Sequence, residues 1–344
     1  MDSSSSAGVR GAPLPAALAG LRLPVIGAPL FTVSNPALVI AQCCAGIIGS
    51  LPALNARPQS QLDEWLHEIT EALARHDRDH PDSPAAPYAI NQIVHRTNSR
   101  FDEDMAVCAK WKVPIVITSL GAREELNAEV HRWGGITLHD IIDNRFARKA
   151  IEKGSDGLIA VAVGAGGHAG SWSPFALVQE IRTWFAGPLV LAGAIATGRA
   201  ILAAEVLGAD LAYVGSAFIA THEAGAIDEY KDAVASATAA DIVNSDAFTG
   251  IRANYLRQSI VRAGLDPELV ANGGIETPKF ELEGSGTIRA WRDIWGCGQG
   301  VDVIQGRQSA SQLIDRLADE YAIASAGIVA SKNVAGRART AALI

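Results

Sequence analysis

From residue 24 to residue 218 the chain repeats one theme, a short apolar run followed by a stretch with helical spacing. The apolar runs fall at residues 24–29, 47–52, 88–94, 114–120, 136–139, 157–163, 189–195 and 211–218. Each is apolar on both faces, as a parallel strand buried under helices should be. Residues 35–45 offer Asn35 as a helix cap with Pro36 in the first turn. Residues 61–75 place Leu62, Leu66, Ile69 and Leu73 on one face. The helical stretches 143–153 and 198–207 are followed by Gly154 and Gly208, the residue type that most easily ends a helix. Eight consecutive units of similar length predict a closed (β/α)8 TIM barrel, with a doubly wound sheet as the competing arrangement.

The alternation then stops. Residues 222–295 read as helical and irregular, with a loop-like break at Ala271-Asn272-Gly273-Gly274. A last periodic stretch, 309–324, can serve as the eighth barrel helix. The expected organisation is a flexible tail over 1–20, a barrel over 21–221 and 296–330, an inserted, mainly helical substrate or lid domain over 222–295, and a C-terminal tail over 331–344. An insertion of roughly 70 residues is far longer than an ordinary connection. Following the eighth strand, it lies over the C-terminal face of a barrel, where active sites form. Tyr255, Phe280, Trp291 and Trp295 are its candidate pocket walls or core anchors.

Charge and cysteine usage narrow the function classes. The net charge is -8 with no basic block, which argues against nucleic-acid or anionic-membrane partners. No apolar run reaches the ~20 residues of a membrane span. The first residues lack a basic stretch followed by an apolar core, so no secretory signal is expected. Cys43, Cys44, Cys108 and Cys297 have no metal-ligand spacing and read as reduced thiols of a cytoplasmic protein. Neither a HExxH pair nor a Cys/His cluster appears, so no metal centre is expected. The chain has no GxSxG elbow, Walker lysine or GxGxxG after the first run, which argues against a hydrolase, a triphosphate site and a Rossmann site.

Three segments can carry chemistry. The sixth run leads into Gly164-Ala165-Gly166-Gly167-His168-Ala169-Gly170, one imidazole among small residues. Gly166 and Gly167 let a backbone approach a flat ligand, and His168 can exchange a proton near neutral pH. A plain glycine-rich turn is the alternative. The seventh run ends in Ala192-Gly193-Ala194-Ile195-Ala196-Thr197-Gly198, the eighth in Val214-Gly215-Ser216. Barrels commonly hold a phosphate at these two loops; Gly193 and Gly215 leave room for an anion and the Ser216 hydroxyl can donate, with a plain βα turn as the alternative. Asn91 interrupts the third run and can bind a heterocycle edge or tie two strands together. His139 and Asp140 close the fifth run, either as a core hydrogen-bonded pair or as part of the site.

Taken together, these segments resemble the nitronate monooxygenase (2-nitropropane dioxygenase-like) family of FMN proteins, whose superfamily includes NADH:quinone reductases and an enoyl-acyl-carrier-protein reductase. The matching segments are Leu23-Pro24-Val25-Ile26-Gly27-Ala28-Pro29, Ala89-Ile90-Asn91, Gly154-Ser155-Asp156-Gly157, Ala165 to Gly170, Ala192 to Gly198 and Val214 to Phe218, in family order across about residues 21–325. The resemblance implies non-covalent FMN and His168 as the catalytic residue near the flavin. It implies backbone contacts to the ring from Ala28, Pro29 and Leu30, an amide contact from Asn91, and phosphate contacts at Gly193, Ala194, Gly215 and Ser216. The chain departs from the pattern at Leu30, where Met is usual, and at Gly164, where an acid is common. Ala194 stands for the second glycine of the AGGI segment. Asp140 stands where the quinone-reductase members carry Lys.

The leading expectation is an FMN-dependent oxidoreductase that oxidises alkyl nitronates with O2, acting as a monomer or homodimer. One alternative is an NAD(P)H-dependent FMN reductase of quinones or enones. The other is a non-catalytic flavin- or phosphate-binding barrel.

Overall fold

In the computed structural model, which describes residues 13–273 and 290–341, eight parallel strands make one sheet. They are β1 (Val25–Gly27), β2 (Gly49–Pro52), β3 (Tyr88–Ile93), β4 (Ile115–Ser119), β5 (Ile136–Ile141), β6 (Gly157–Val161), β8 (Leu189–Ala192) and β9 (Leu211–Val214). Their order is β1-β9-β8-β6-β5-β4-β3-β2. A parallel bridge between Ile26 and Ile48 brings β2 back to β1, and Gly27 N donates to Ile48 O at 2.8 Å. The sheet is therefore a TIM barrel.

Helices α1 (Pro36–Cys44), α2 (Gln61–Asp79), α3 (Phe101–Lys110), α4 (Glu124–Arg132), α5 (Asn144–Glu152), α6 (Pro174–Arg182) and α7 (Gly198–Leu207) follow successive barrel strands. Asn35, Asp143 and Thr197 cap α1, α5 and α7, each accepting from a backbone N–H three residues on. Such caps satisfy donors that the first turn leaves unpaired. Inside the barrel, Ile26, Ile48, Ala89, Ile115, Ile117, Leu138, Ile159, Val190 and Leu211 form one apolar cluster. Alternate strand residues face outward against the helices.

Several boundaries differ from expectation. The run 211–218 is a strand only to Val214; residues Ser216–Ile219 form a short helix, α8. An apolar run cannot separate a buried strand from a buried helix by pattern alone. The fifth strand continues through Asp140 and Ile141, paired with Ile159 and Ala160; a polar residue there marks an inward position, not a strand end. Ahead of β1, Leu14, Ala17, Leu18 and Leu21 join the barrel's inner cluster, and Leu18 is 2% exposed. Helix α12 (Ala310–Ala341) runs past residue 330.

Beyond α8 come α9 (Asp228–Ser236), β10 (Ile242–Ser245), β11 (Ala253–Leu256), α10 (Arg257–Arg262) and α11 (Pro267–Ala271). The antiparallel pair β10–β11 has no counterpart in the sequence reading, because each strand is four residues long and carries a polar Asn244 or Asn254. Strand β11 also pairs with β7 (Gly167–His168), two residues of the loop after β6. Val243, Phe248, Ala253, Tyr255, Ile260, Val270 and Ile294 form this region's own apolar core.

Candidate active site

Toward the C-terminal ends of the strands the inner face of the barrel turns polar. Asn91, Ser119, Asp140 and Tyr213 occupy it, each two residues beyond an inward apolar position. Asn91 Nδ2 donates to Ile117 O at 3.3 Å and to Ser119 Oγ at 2.7 Å. Ser119 Oγ donates to Asp140 Oδ2 at 2.6 Å. A carboxylate only accepts, so the hydroxyl proton points to Asp140 and both amide protons of Asn91 are committed. Asn91 thus ties β3 to β4 while its Oδ1 accepts from no donor among the described residues. Asp140 Oδ1 and Tyr213 OH are buried without a protein partner. Burial pushes Asp140 up to about 6, against the Ser119 hydrogen bond. Burial, then the Asp140 charge, holds Tyr213 well above the usual phenol range.

His139 is separated from Asp140 by the strand's own alternation. It faces the opposite side of β5, 4% exposed, with Nδ1 2.6 Å from Thr118 Oγ1. Burial pushes its imidazole down to about 4. The strand therefore brings Asp140 to the barrel mouth and leaves His139 behind it.

The glycine-rich loop after β6 packs against residues 297–299. A Cβ at Gly166 would lie 2.9 Å from Gly298 N, and one at Gly298 would lie 2.6 Å from Gly164 O. Part of the glycine requirement is thus met by the protein's own backbone. Gln299 N donates to Gly164 O, and Asn254 Nδ2 to Ala165 O. The loop leaves Gly166 exposed and His168 half-buried. His168 Nε2 lies 3.0 Å from Thr249 Oγ1, and its ring meets the edge of Trp291 at 5.1 Å. Thr249 Oγ1 also lies 3.0 Å from Ile251 O; when its one proton goes to that carbonyl, its lone pair accepts from His168 Nε2. In that arrangement the neutral imidazole carries its proton on Nε2 and leaves Nδ1 basic. Burial lowers the His168 pKa from its ordinary value.

At the loops after β8 and β9, the N–H groups of Gly193, Ala194, Gly215 and Ser216 donate to no protein acceptor among the described residues. Gly193 and Ala194 have φ of 137° and 54°. Ser216 Oγ accepts from Gly298 N at 2.9 Å, and its hydroxyl also hydrogen-bonds the buried Cys297 thiol. At the start of α7 the Gly198 N–H already meets Glu320 Oε2 at 2.8 Å, so that position holds an internal anion. The segment Ala28–Leu30 borders Gly215, whose Cβ would lie 3.4 Å from Ala28 Cβ and Leu30 Cδ2. Its donors are spent: Ala28 N bonds Val214 O, and Leu30 N bonds Ser34 Oγ. The Ala28 and Pro29 carbonyls and the Leu30 side chain remain for a ligand.

Ser119, Tyr213 and Thr249 escaped the sequence reading. Inward alternation along β4 and β9 could have found the first two; only tertiary pairing reveals Thr249. Among the candidate pocket walls, Trp291 packs on His168, Tyr255 and Trp295 are buried core residues at 0% and 2% exposure, and Phe280 lies outside the described residues. Among those residues no helix is long and apolar enough to cross a membrane.

The sequence matches the family model described as nitronate monooxygenase over residues 13–320. It is 29% identical over 301 residues to a nitronate monooxygenase of Paraburkholderia phytofirmans, across 73% of this chain and 78% of the relative. Two solved structures share the fold. Nitroalkane oxidase from Streptomyces ansochromogenes matches with a TM-score of 0.72 at 24% identity, over 89% of this chain and 98% of that one. FabK from Thermotoga maritima matches with a TM-score of 0.72 at 22% identity, over 92% and 97%.

Proposed function

Because the chain belongs to the nitronate monooxygenase family of flavin oxidoreductases, we propose that it oxidises alkyl nitronates with dioxygen, using non-covalently held FMN at the C-terminal mouth of the barrel. The observation that carries this reading is His168 at that mouth, its Nε2 within hydrogen-bond distance of Thr249. Burial disfavours the imidazolium, so the base form prevails at neutral pH.

The residues present fit FMN. The unpaired N–H groups of Gly193, Ala194, Gly215 and Ser216, with the Ser216 hydroxyl, suit its phosphate. Asn91 Oδ1, Asp140 Oδ1 and Tyr213 OH suit the polar edge of its ring. Leu30 and the exposed Gly166 leave apolar, uncrowded surface for the ring face. When bound, FMN supplies the electron acceptor for the nitronate and the route to O2. The protein's part is to orient and to move protons. His168 Nδ1 takes the α-proton of a neutral nitroalkane, or a protonated His168 hydrogen-bonds the nitronate oxygens. Trp291 packs against the imidazole in an edge-to-face contact.

The test is an absorbance spectrum of the purified protein, followed by anaerobic mixing with propyl nitronate and then with NADH or NADPH. Flavin colour that bleaches with nitronate and returns with air is the expected result. Rapid bleaching by NAD(P)H alone, with no response to nitronate, favours an NAD(P)H-dependent reductase; absence of flavin sinks the flavin reading. His168→Asn should lower nitroalkane turnover by about 10²–10⁴, the usual worth of a general base, and nitronate turnover far less. Equal losses on the two substrates rule out the base role.

A further inference from the structure

The unexplained feature of the mouth is the relay Asn91–Ser119–Asp140 with two buried polar atoms left over. Its direction is fixed by chemistry. While ionised, Asp140 Oδ2 can only accept from Ser119, and Ile117 O can only accept from Asn91. Both demands turn the Nδ2 of Asn91 into the protein and its Oδ1 away from it. We propose that Asp140 is a positioning residue which, through Ser119, makes Asn91 present only a hydrogen-bond acceptor, so that the ring edge bound there must be a donor, and that its carboxylate lies close enough to oppose negative charge gained by the ring.

This inference rests on the flavin reading of the site and deepens it. An imide N–H, as on the pyrimidine ring of a flavin, satisfies an acceptor-only amide; an edge made of carbonyls alone does not. Among the described residues no cation pairs with Asp140: Ser119 from β4, Asn91 from β3, and Tyr213 from β9 share the polar layer, and the inner position of β6 beside it is Ile159. Tyr213 is the titratable neighbour and stays neutral. The carboxyl, raised to about 6 by burial, is anionic at pH 8 and protonated at pH 5.

The experiment is a redox titration of the full-length, FMN-loaded protein at pH 5 and pH 8, comparing wild type with Asp140→Asn. Asp140→Ser serves if the first variant does not fold. At pH 8, loss of the charge should raise the reduced-to-oxidised ratio at a fixed potential about tenfold, a shift of about 30 mV for a two-electron couple. At pH 5 the two proteins should converge, since the flavin's own protonation is common to both. An equal offset at the two pH values, or none at either, overturns the electrostatic part. Ser119→Ala keeps the charge and cuts the relay. It should weaken FMN binding about tenfold while keeping the pH-dependent potential; unchanged FMN affinity overturns the positioning part. Wild-type protein that takes up no FMN refutes the flavin reading itself, which is a separate outcome.

Discussion

The two ends of the barrel interior use the same strands for opposite purposes. On four strands, Ala89, Ile117, Leu138 and Leu211 give way two residues later to Asn91, Ser119, Asp140 and Tyr213. The N-terminal end is dry and apolar, with Leu18 packed into its cluster. At the C-terminal end, Asp140 Oδ1 and Tyr213 OH remain buried and unpaired. Unpaired buried polar atoms cost stability, of order 1–3 kcal/mol each. One end thus holds the fold, and the other keeps buried polar atoms that the described residues do not satisfy. Leu138→Ala gives the largest expected effect, about 2–5 kcal/mol off the unfolding free energy in urea, with FMN affinity unchanged in the folded variant. A loss of FMN affinity to match would mean that the two ends are not separable.

The comparison sharpens at a single peptide bond. His139 and Asp140 are neighbours on opposite faces of β5, and burial moves their pKa values in opposite directions. For His139 the folded value, about 4, lies below the unfolded value of about 6.5. Its share of stability is full above about 6.5 and is lost as pH falls toward 4. For Asp140 the folded value, about 6, lies above the unfolded carboxylate range. Stability linked to Asp140 is therefore full at low pH and lost as pH rises through 6. Between pH 7 and pH 5, His139→Gln should gain about 2 kcal/mol on the wild type in urea unfolding. Asp140→Asn should move the other way over the same interval. Parallel curves for wild type and His139→Gln would show that His139 is not buried as a neutral imidazole.

Much of the barrel was legible because each unit carries an apolar run, and several also mark a helix end with a cap or a glycine. Asn35, Gly154 and Gly208 marked real helix ends. The candidate site stands out in the sequence where small residues cluster, at Gly164–Gly170, Gly193 and Gly215. It was not legible where function depends on which way a strand residue faces. His139 and Asp140 read as one pair, and only the pleat separates them. Thr249 is 81 residues from His168 in sequence, and the contact exists only because β11 pairs with β7. The glycines near His168 also had a second reason that the sequence conceals, the close approach of Gly298.

Backbone strain follows the same polarity as the side chains. Among the described residues, the non-glycine positions with positive φ are Thr32, Lys112, Leu120, Ala194 and Trp291. Thr32, Leu120 and Ala194 follow the C-terminal ends of β1, β4 and β8, and Trp291 packs on His168; Lys112 alone precedes its strand, β4. Strain held at a ligand-binding end is tolerable when the other end supplies the stability. Ala194 tests this with the smallest expected effect. At φ 54° an L-residue costs about 1–2 kcal/mol, and glycine returns about 0.4–1 kcal/mol of that as unfolded-state entropy. Ala194→Gly should therefore stabilise the protein by about 0–1.6 kcal/mol in thermal or urea unfolding, with FMN affinity unchanged because the same N–H remains. A destabilised variant would show that the Ala194 methyl group, which would lie 3.4 Å from a Cβ at Gly164, packs the two loops together. In that case the C-terminal end would be carrying part of the fold's stability, and the division between the two ends would be less sharp than their side chains suggest.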